Sequence, residues 1–226
     1  MNKEIEIRIS HYINSTTALG PGKRFVLWMQ GCEKKCSRCI NPQGQRKTGG
    51  ILYTIDSLVD IIKKQKNING VTISGGEPFL QYDSLCALIS QIRKETCLDV
   101  MVYTGYYLHE LIEKYGNDIF NYCLCNIDIL IDGPYIEKLD MGSMYRGSDN
   151  QEIYCFTGRY DSFLNKIKEA KNRDIEFIID NNSDTYMVGI PEKKFFEKYI
   201  SKMGEVSYER KKSYRSECVI SKGQDS

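Results

Sequence analysis

Cys32, Cys36 and Cys39 stand in the run Cys32-Glu33-Lys34-Lys35-Cys36-Ser37-Arg38-Cys39, three thiols at Cys-x3-Cys-x2-Cys spacing with no obvious fourth. Closely spaced thiolates hold either zinc or an iron–sulfur cluster. A structural zinc site needs four ligands, and neither His11 nor His109 forms a zinc-like pair with the run. A cubane [4Fe–4S] cluster normally takes four cysteines, so three leave one iron open to a reactant. To wrap three corners of a cubane the chain must form a tight, irregular loop, with which Gly31 and Ser37 are compatible.

The second chemical element is Ser74-Gly75-Gly76-Glu77-Pro78. Glycines at a strand end let backbone approach a ligand closely and adopt torsions closed to other residues, and the Glu77 carboxylate can pair with an ammonium group. Alone, the element reads equally as an ordinary turn. After a predicted strand and after the cysteine run, it reads as a binding loop.

These residues need a scaffold. At 226 residues the chain suits one large domain or one domain with an appendage, and it can bury most of its apolar surface without disulfides. Its nine cysteines are irregularly spaced, unlike a paired secreted framework. Reduced thiols are expected, with Cys86, Cys97, Cys123, Cys125, Cys155 and Cys218 as small buried hydrophobes or incidental thiols. Lys+Arg 31 against Asp+Glu 30 gives +1, which argues against a surface built for nucleic acid or anionic lipid. Residues 1–14 carry Lys3, Glu4, Glu6 and Arg8 among apolar residues, unlike a signal peptide, and no stretch approaches the about 18 apolar residues of a membrane span. The expectation is a soluble cytoplasmic protein with no nucleic-acid or membrane partner.

Apolar runs at 25–29, 71–74, 100–103 and 127–131 predict buried strands. Helical periodicity lies between them: Leu58, Ile61 and Ile62 after an N-cap at Thr54; Leu85, Leu88, Ile89 and Ile92 after Asp83; then Leu108, Leu111, Ile112 and Tyr115. Alternating strands and helices predict βαβ units around a parallel sheet. Ligands collect at the carboxyl ends of such strands, where this chain puts Gly31-Cys32, Gly75-Gly76-Glu77, Thr104-Gly105 and Asp132-Gly133. Beyond Tyr160, Phe163, Ile167 and Ala170 predict a helix, and 175–180 and 186–190 bracket the turn-rich Asn181-Asn182-Ser183-Asp184 as a hairpin. A last helix begins near Pro191-Glu192, and from Ser207 a basic tail with Arg210, Lys211, Lys212 and Arg215 is expected to be mobile.

Further motifs occur in order: Gly20-Pro21-Gly22-Lys23-Arg24, Cys39-Ile40-Asn41-Pro42, Tyr103-Thr104-Gly105-Tyr106, Ile131-Asp132-Gly133 and Tyr145-Arg146-Gly147-Ser148-Asp149-Asn150-Gln151. With the cysteine run and the Gly-Gly-Glu-Pro element, they resemble the radical S-adenosylmethionine (SAM) activating proteins of the anaerobic ribonucleotide reductase type, over residues 12–160. The resemblance implies an α/β fold with a partial (β/α) barrel of the radical SAM type over 1–160; it does not reach the small α+β helix-hairpin-helix extension over 161–206 or the tail 207–226, which rest on the pattern alone. It implies a [4Fe–4S] cluster on Cys32, Cys36 and Cys39, and SAM as cofactor. Gly75, Gly76 and Glu77 would hold the SAM amino group with Pro78 shaping the turn; Thr104 and Gly105 would line its ribose or methionyl side. Asn41 would order the cluster loop. Asp132 either binds a ribose hydroxyl or caps a helix, and Arg146 either grips the SAM carboxylate or ties down the barrel end.

The activity implied is reductive cleavage of SAM to a 5′-deoxyadenosyl radical that installs a glycyl radical on a partner enzyme, with electrons from an external flavodoxin- or ferredoxin-type donor. The alternatives are a radical-SAM enzyme acting on a peptide or small molecule, and a non-catalytic iron–sulfur module, which would not need Gly75-Gly76-Glu77. Two departures stand out. Arg38 occupies the place before the third cysteine where many radical-SAM motifs have an aromatic residue, and Gly133-Pro134 replaces a common glycine-lysine pair. The extension either closes the barrel or adds a docking surface.

Overall fold

Strands with apolar residues on both faces need cover on both, and this chain supplies it from two different parts of itself. The computed structural model describes residues 4–42, 44–179 and 185–206. In chain order the elements are β1 (Glu6–Thr16), β2 (Arg24–Met29), β3 (Ile51–Thr54), α1 (Ile55–Lys63), β4 (Gly70–Gly75), α2 (Tyr82–Glu95), β5 (Asp99–Tyr103), α3 (Leu108–Tyr115), α4 (Asp118–Tyr122), β6 (Ile129–Ile131), β7 (Ile153–Cys155), α5 (Asp161–Glu169), β8 (Ile175–Ile179), β9 (Thr185–Gly189) and α6 (Lys193–Val206).

The protein is a mixed α/β molecule. Its main sheet has seven strands in the order β3-β1-β2-β4-β5-β6-β7. The central block β2-β4-β5-β6 is parallel throughout, as the strand–helix alternation predicts. Strand parity then sorts the core. Phe25, Leu27, Met29, Val71, Ile73, Val100, Val102 and Leu130 form one cluster with the helices, whereas Val26, Met101, Ile129 and Ile131 belong to clusters on the other face. On the helix side α1 buries Ile55, Leu58, Val59 and Ile62, and α2 buries Leu85, Leu88, Ile89 and Ile92, each a stripe at helical spacing. Thr54 caps α1 as expected, its Oγ1 accepting from the Ser57 N–H at 3.2 Å.

The opposite face is covered by the segment after Tyr160. Ile167 of α5 packs with Met101, Ile129, Ile131 and Ile153, and Val188 of β9 packs with Ile13, Ala18, Leu19 and Val26. β8 and β9 form an antiparallel pair matching the predicted hairpin; its expected turn, Asn181-Asn182-Ser183-Asp184, and the expected tail from Ser207 lie outside the described residues.

The flanks of the sheet differ from the expected parallel pattern. β1 is antiparallel to both β2 and β3, and β7 is antiparallel to β6. Ile7 and Ile9 alternate with Glu6, Arg8 and Ser10 at the start of β1, but its register against β2 breaks between Ile9 and His11 and again between Ile13 and Thr16, and each break changes which residues face inward. The strand expected at 127–131 is shortened to Ile129–Ile131. Asp128 places its carboxylate, rather than a ladder carbonyl, on the Val100 N–H at 2.7 Å and holds Arg93 at 2.6 Å.

Gly20-Pro21-Gly22-Lys23-Arg24 lies at the amino end of β2. The fully buried Arg24 pairs with Asp99 at 2.5 Å and donates to Thr72 Oγ1, Pro21 O and Val71 O, while Asp99 accepts from Tyr160 Oη at 2.9 Å. This network ties together the starts of β2, β4 and β5, at the end of the block opposite the cysteine loop. Among the described residues no helix is long and apolar enough to cross a membrane.

Candidate functional site

Four parallel strands end at one edge, and their exits are stitched to one another. Gly76 N–H donates to Met29 O and Glu77 N–H to Gly31 O, each at 2.7 Å, so the exit of β4 is bonded to the exit of β2. The cysteine loop begins there: Gly31 N–H donates to Gly44 O at 2.7 Å and Cys32 N–H to Gln45 O at 3.2 Å, closing residues 31–45 into a loop whose two ends meet. Thr104 N–H donates to Ile131 O at 2.9 Å and Gly133 N–H to Tyr106 O at 2.8 Å. The four strand-end motifs therefore share one edge.

The two glycines are required by this packing. Gly75 has φ +114°, and a Cβ on Gly76 would lie 2.1 Å from Gly31 O and 2.5 Å from Gly44 O, both backbone atoms. Glu77 is buried with both oxygens engaged: Oε1 accepts from Phe79 N–H at 3.0 Å and Thr104 Oγ1 at 2.8 Å, and Oε2 from Gly105 N–H at 2.7 Å. Burial pushes its carboxyl above the usual range, against these three donors and the nearby Lys34 charge. A carboxylate has about four acceptor sites, so Oε2 retains one. Pro78 opens the 3₁₀ turn Pro78–Gln81 that Glu77 caps.

The cysteine loop carries two non-glycine residues in the left-handed region, Lys35 at φ 48° and Arg38 at φ 57°, each just before a cysteine. Such turns point successive N–H groups into a concavity suited to an anionic group, iron–sulfur clusters included. Cys32 Sγ accepts the Lys34 N–H at 3.4 Å, and Cys39 Sγ receives the Asn41 N–H and the Gln45 side chain. Asn41 is buried; its Oδ1 accepts from Gly44 N–H at 3.0 Å, closing the turn after Cys39, while its Nδ2 is buried with no protein partner among the described residues. Burial pushes the Cys32 and Cys39 thiols up, opposed by these N–H groups. Among the described residues no three His, Cys, Asp or Glu side chains converge on a point for one metal ion. Three closely spaced thiols beside such N–H groups are a donor set that fits an iron–sulfur cluster.

The family model described as "4Fe-4S single cluster domain" matches residues 18–154, more than half of the chain. The chain belongs to this family. It is 34% identical over 146 residues to the anaerobic ribonucleoside-triphosphate reductase-activating protein of Vibrio cholerae, covering 61% of this chain and 91% of the relative. The protein of the same description from Enterobacteria phage T4 is 29% identical over 143 residues, covering 61% and 87%. The pyruvate formate-lyase-activating enzyme of Streptococcus mutans is 28% identical over 198 residues, covering 80% and 72%. The resemblance read from the motifs is thus a membership: the chain is one of the radical SAM activating proteins.

Within this activating-protein fold the remaining expected site residues divide. Thr104 is buried and bridges Glu77 and the Tyr106 N–H, and Gly105 lies against Glu77. Asp132 is buried with Oδ2 on Leu108 N–H at 2.7 Å, capping α3, and Oδ1 on Glu152 N–H at 3.0 Å. Burial holds its carboxyl above the usual range despite those two donors. Arg146 donates to Gln151 O and Lys168 O, each at 3.1 Å, joining the 145–151 loop to the end of α5.

Several residues that carry the site were not singled out in the sequence. Lys34 lies beside Glu77, with its Nζ 3.0 Å from Glu110 and 3.7 Å over the Tyr106 ring. Gln81 clamps Arg8 by both backbone groups and also donates to Gln30 O at 3.1 Å, and Gln30 holds Arg46 O at 2.6 Å. Neutral amides at such positions have no motif; only their contacts reveal them.

Proposed function

We propose that this protein is a radical-SAM activase: it binds a [4Fe–4S] cluster through Cys32, Cys36 and Cys39, cleaves SAM reductively, and installs a glycyl radical on a partner enzyme. The observation that carries this reading is the direct bonding of the Gly75–Gly76–Glu77 loop to the base of the cysteine loop, through Glu77 N–H to Gly31 O and Gly76 N–H to Met29 O. A cluster-only module would not need that junction. When bound, the cluster and SAM together supply one-electron cleavage of a sulfonium bond, yielding methionine and a 5′-deoxyadenosyl radical; the protein supplies positioning and exclusion of water.

The roles of the chain's own groups follow. The open acceptor site of Glu77 Oε2 would take an N–H of the SAM amino group, with Gly75 and Gly76 beside it, and Thr104 and Gly105 hold that carboxylate in place. The Asn41 amide orders the loop through Gly44, and its buried Nδ2 would be a donor to a bound cluster. Asp132 and Arg146 act at one remove, holding α3 and the 145–151 loop. The four parallel strands with their helices are read as a partial barrel over 1–160, with 161–206 as an extension closing its inner face. The names of the relatives point to a glycyl-radical enzyme as protein substrate, and reductive chemistry calls for an external electron donor.

The test is anaerobic: reconstitute with iron and sulfide, reduce with dithionite, add SAM and assay 5′-deoxyadenosine, with Cys36→Ala as control. Product that depends on Cys36 is the expected result. A full cluster that neither binds nor cleaves SAM would leave only an iron–sulfur binding module.

A further inference from the structure

Arg38 precedes Cys39 and is the point where this chain departs from the aromatic residue common in radical-SAM motifs. Its side chain leaves the loop and meets two other elements. Arg38 Nε lies 3.3 Å from Glu137 in the 3₁₀ turn Glu137–Leu139, and Nη1 lies 2.5 Å from Glu197 of α6. Lys193 of α6 closes the set, its Nζ 2.6 Å from the same Glu137. Lys193 and Glu197 are one helical turn apart and therefore share a face. α6 thus presents a cation and an anion one turn apart to an anion and a cation of the core, a charge pattern that sets the register of the helix and disfavours a slipped one.

We infer that Arg38 is a positioning residue for the cysteine loop and that α6 is its support: the extension is strapped to the segment bearing Cys39 through the alternating set Lys193–Glu137–Arg38–Glu197. The backbone argues the same way. Arg38 sits at φ 57°, a conformation a non-glycine residue keeps only when its surroundings hold it there, and its guanidinium is the anchor available. Glu137 is shared between Arg38 and Lys193, so the strap acts as a network rather than an isolated pair.

This inference rests on the reading that Cys39 holds a cluster, and the test separates the two. Full-length protein, Arg38→Gln and Glu197→Gln are reconstituted anaerobically, and iron and sulfide are measured first; a parent chain that takes up no cluster refutes the cluster reading. In the same preparations amide exchange over residues 35–40 is followed with and without iron, so the strap is tested in either case. Each half-exposed pair lost should speed amide exchange, and the release of iron to a ferrous chelator, about two- to five-fold at low salt. The difference should shrink near 1 M salt, where screening reaches about 3 Å. Glu197→Gln alters only the exposed helix, so it stands if Arg38→Gln fails to fold. Equal exchange in the parent and Glu197→Gln at low salt, or a difference insensitive to salt, overturns the strap.

Discussion

Glu77 and Gly76 carry most of the residue-scale argument, because each is constrained by several neighbours at once. In Glu77→Gln an amide N–H₂ replaces one carboxylate oxygen in a ring of the donors Phe79 N–H, Thr104 Oγ1 and Gly105 N–H. One donor loses its acceptor, at a cost of about 1–3 kcal/mol. We expect a urea midpoint lowered accordingly, weaker SAM binding and undiminished iron content; SAM affinity equal to the parent's would remove the amino-group assignment. Gly76→Ala meets backbone rather than a movable side chain, at 2.1 Å from Gly31 O, and must displace the base of the cysteine loop. Iron uptake after reconstitution should fall well below that of the parent, and full uptake would show that the junction between the two loops yields easily.

Among the elements, the junction of β2, β4 and β5 with the start of α5 is a buried charge network, and its pH response has a definite sign. Burial, then the Asp99 carboxylate, pushes the Tyr160 phenol up to about 12. The unfolded value is about 10, so between those values the folded state keeps a proton that the unfolded state has lost. Stability contributed there is present below about pH 10 and lost as pH rises toward about 12. Tyr160→Phe should flatten that part of the stability profile and cost about 0.5–1.5 kcal/mol at neutral pH through the lost hydrogen bond. Urea unfolding of both proteins across the alkaline range checks this, and parallel curves would exclude Tyr160 as the source.

At the scale of the molecule, the segment after Tyr160 is part of the fold it follows. Ile167 and Val188 are 1% and 2% exposed and cover Met101, Ile129, Ile131, Val26 and Leu19. Each buried aliphatic side chain contributes about 1.5–3 kcal/mol, and several together rival the about 5–15 kcal/mol that stabilises a whole domain. Truncation after Tyr160 should therefore give an insoluble or dye-binding product. A soluble chain that unfolds cooperatively and still cleaves SAM would make the segment a separable appendage.

Ligand spacing and hydrophobic period are local properties, so the cysteine loop, the Gly75–Glu77 loop, the four parallel strands, the hairpin and every long helix were legible in the chain. The flanking strands were not: β7 is three residues long and β3 four, and the alternation of Ile7 and Ile9 with Glu6 and Arg8 covers only the first part of β1, before its register breaks. Asp132 and Arg146 left two readings open in the sequence, and their partners are set by tertiary contact: Asp132 meets the first N–H of α3, and Arg146 meets carbonyls of the 145–151 loop and α5. Lys34, Gln30, Gln45 and Gln81 gained their roles the same way. A hydrogen bond between residues remote in sequence leaves no period and no spacing behind, so only folding decides which amide or ammonium stands beside the cysteines.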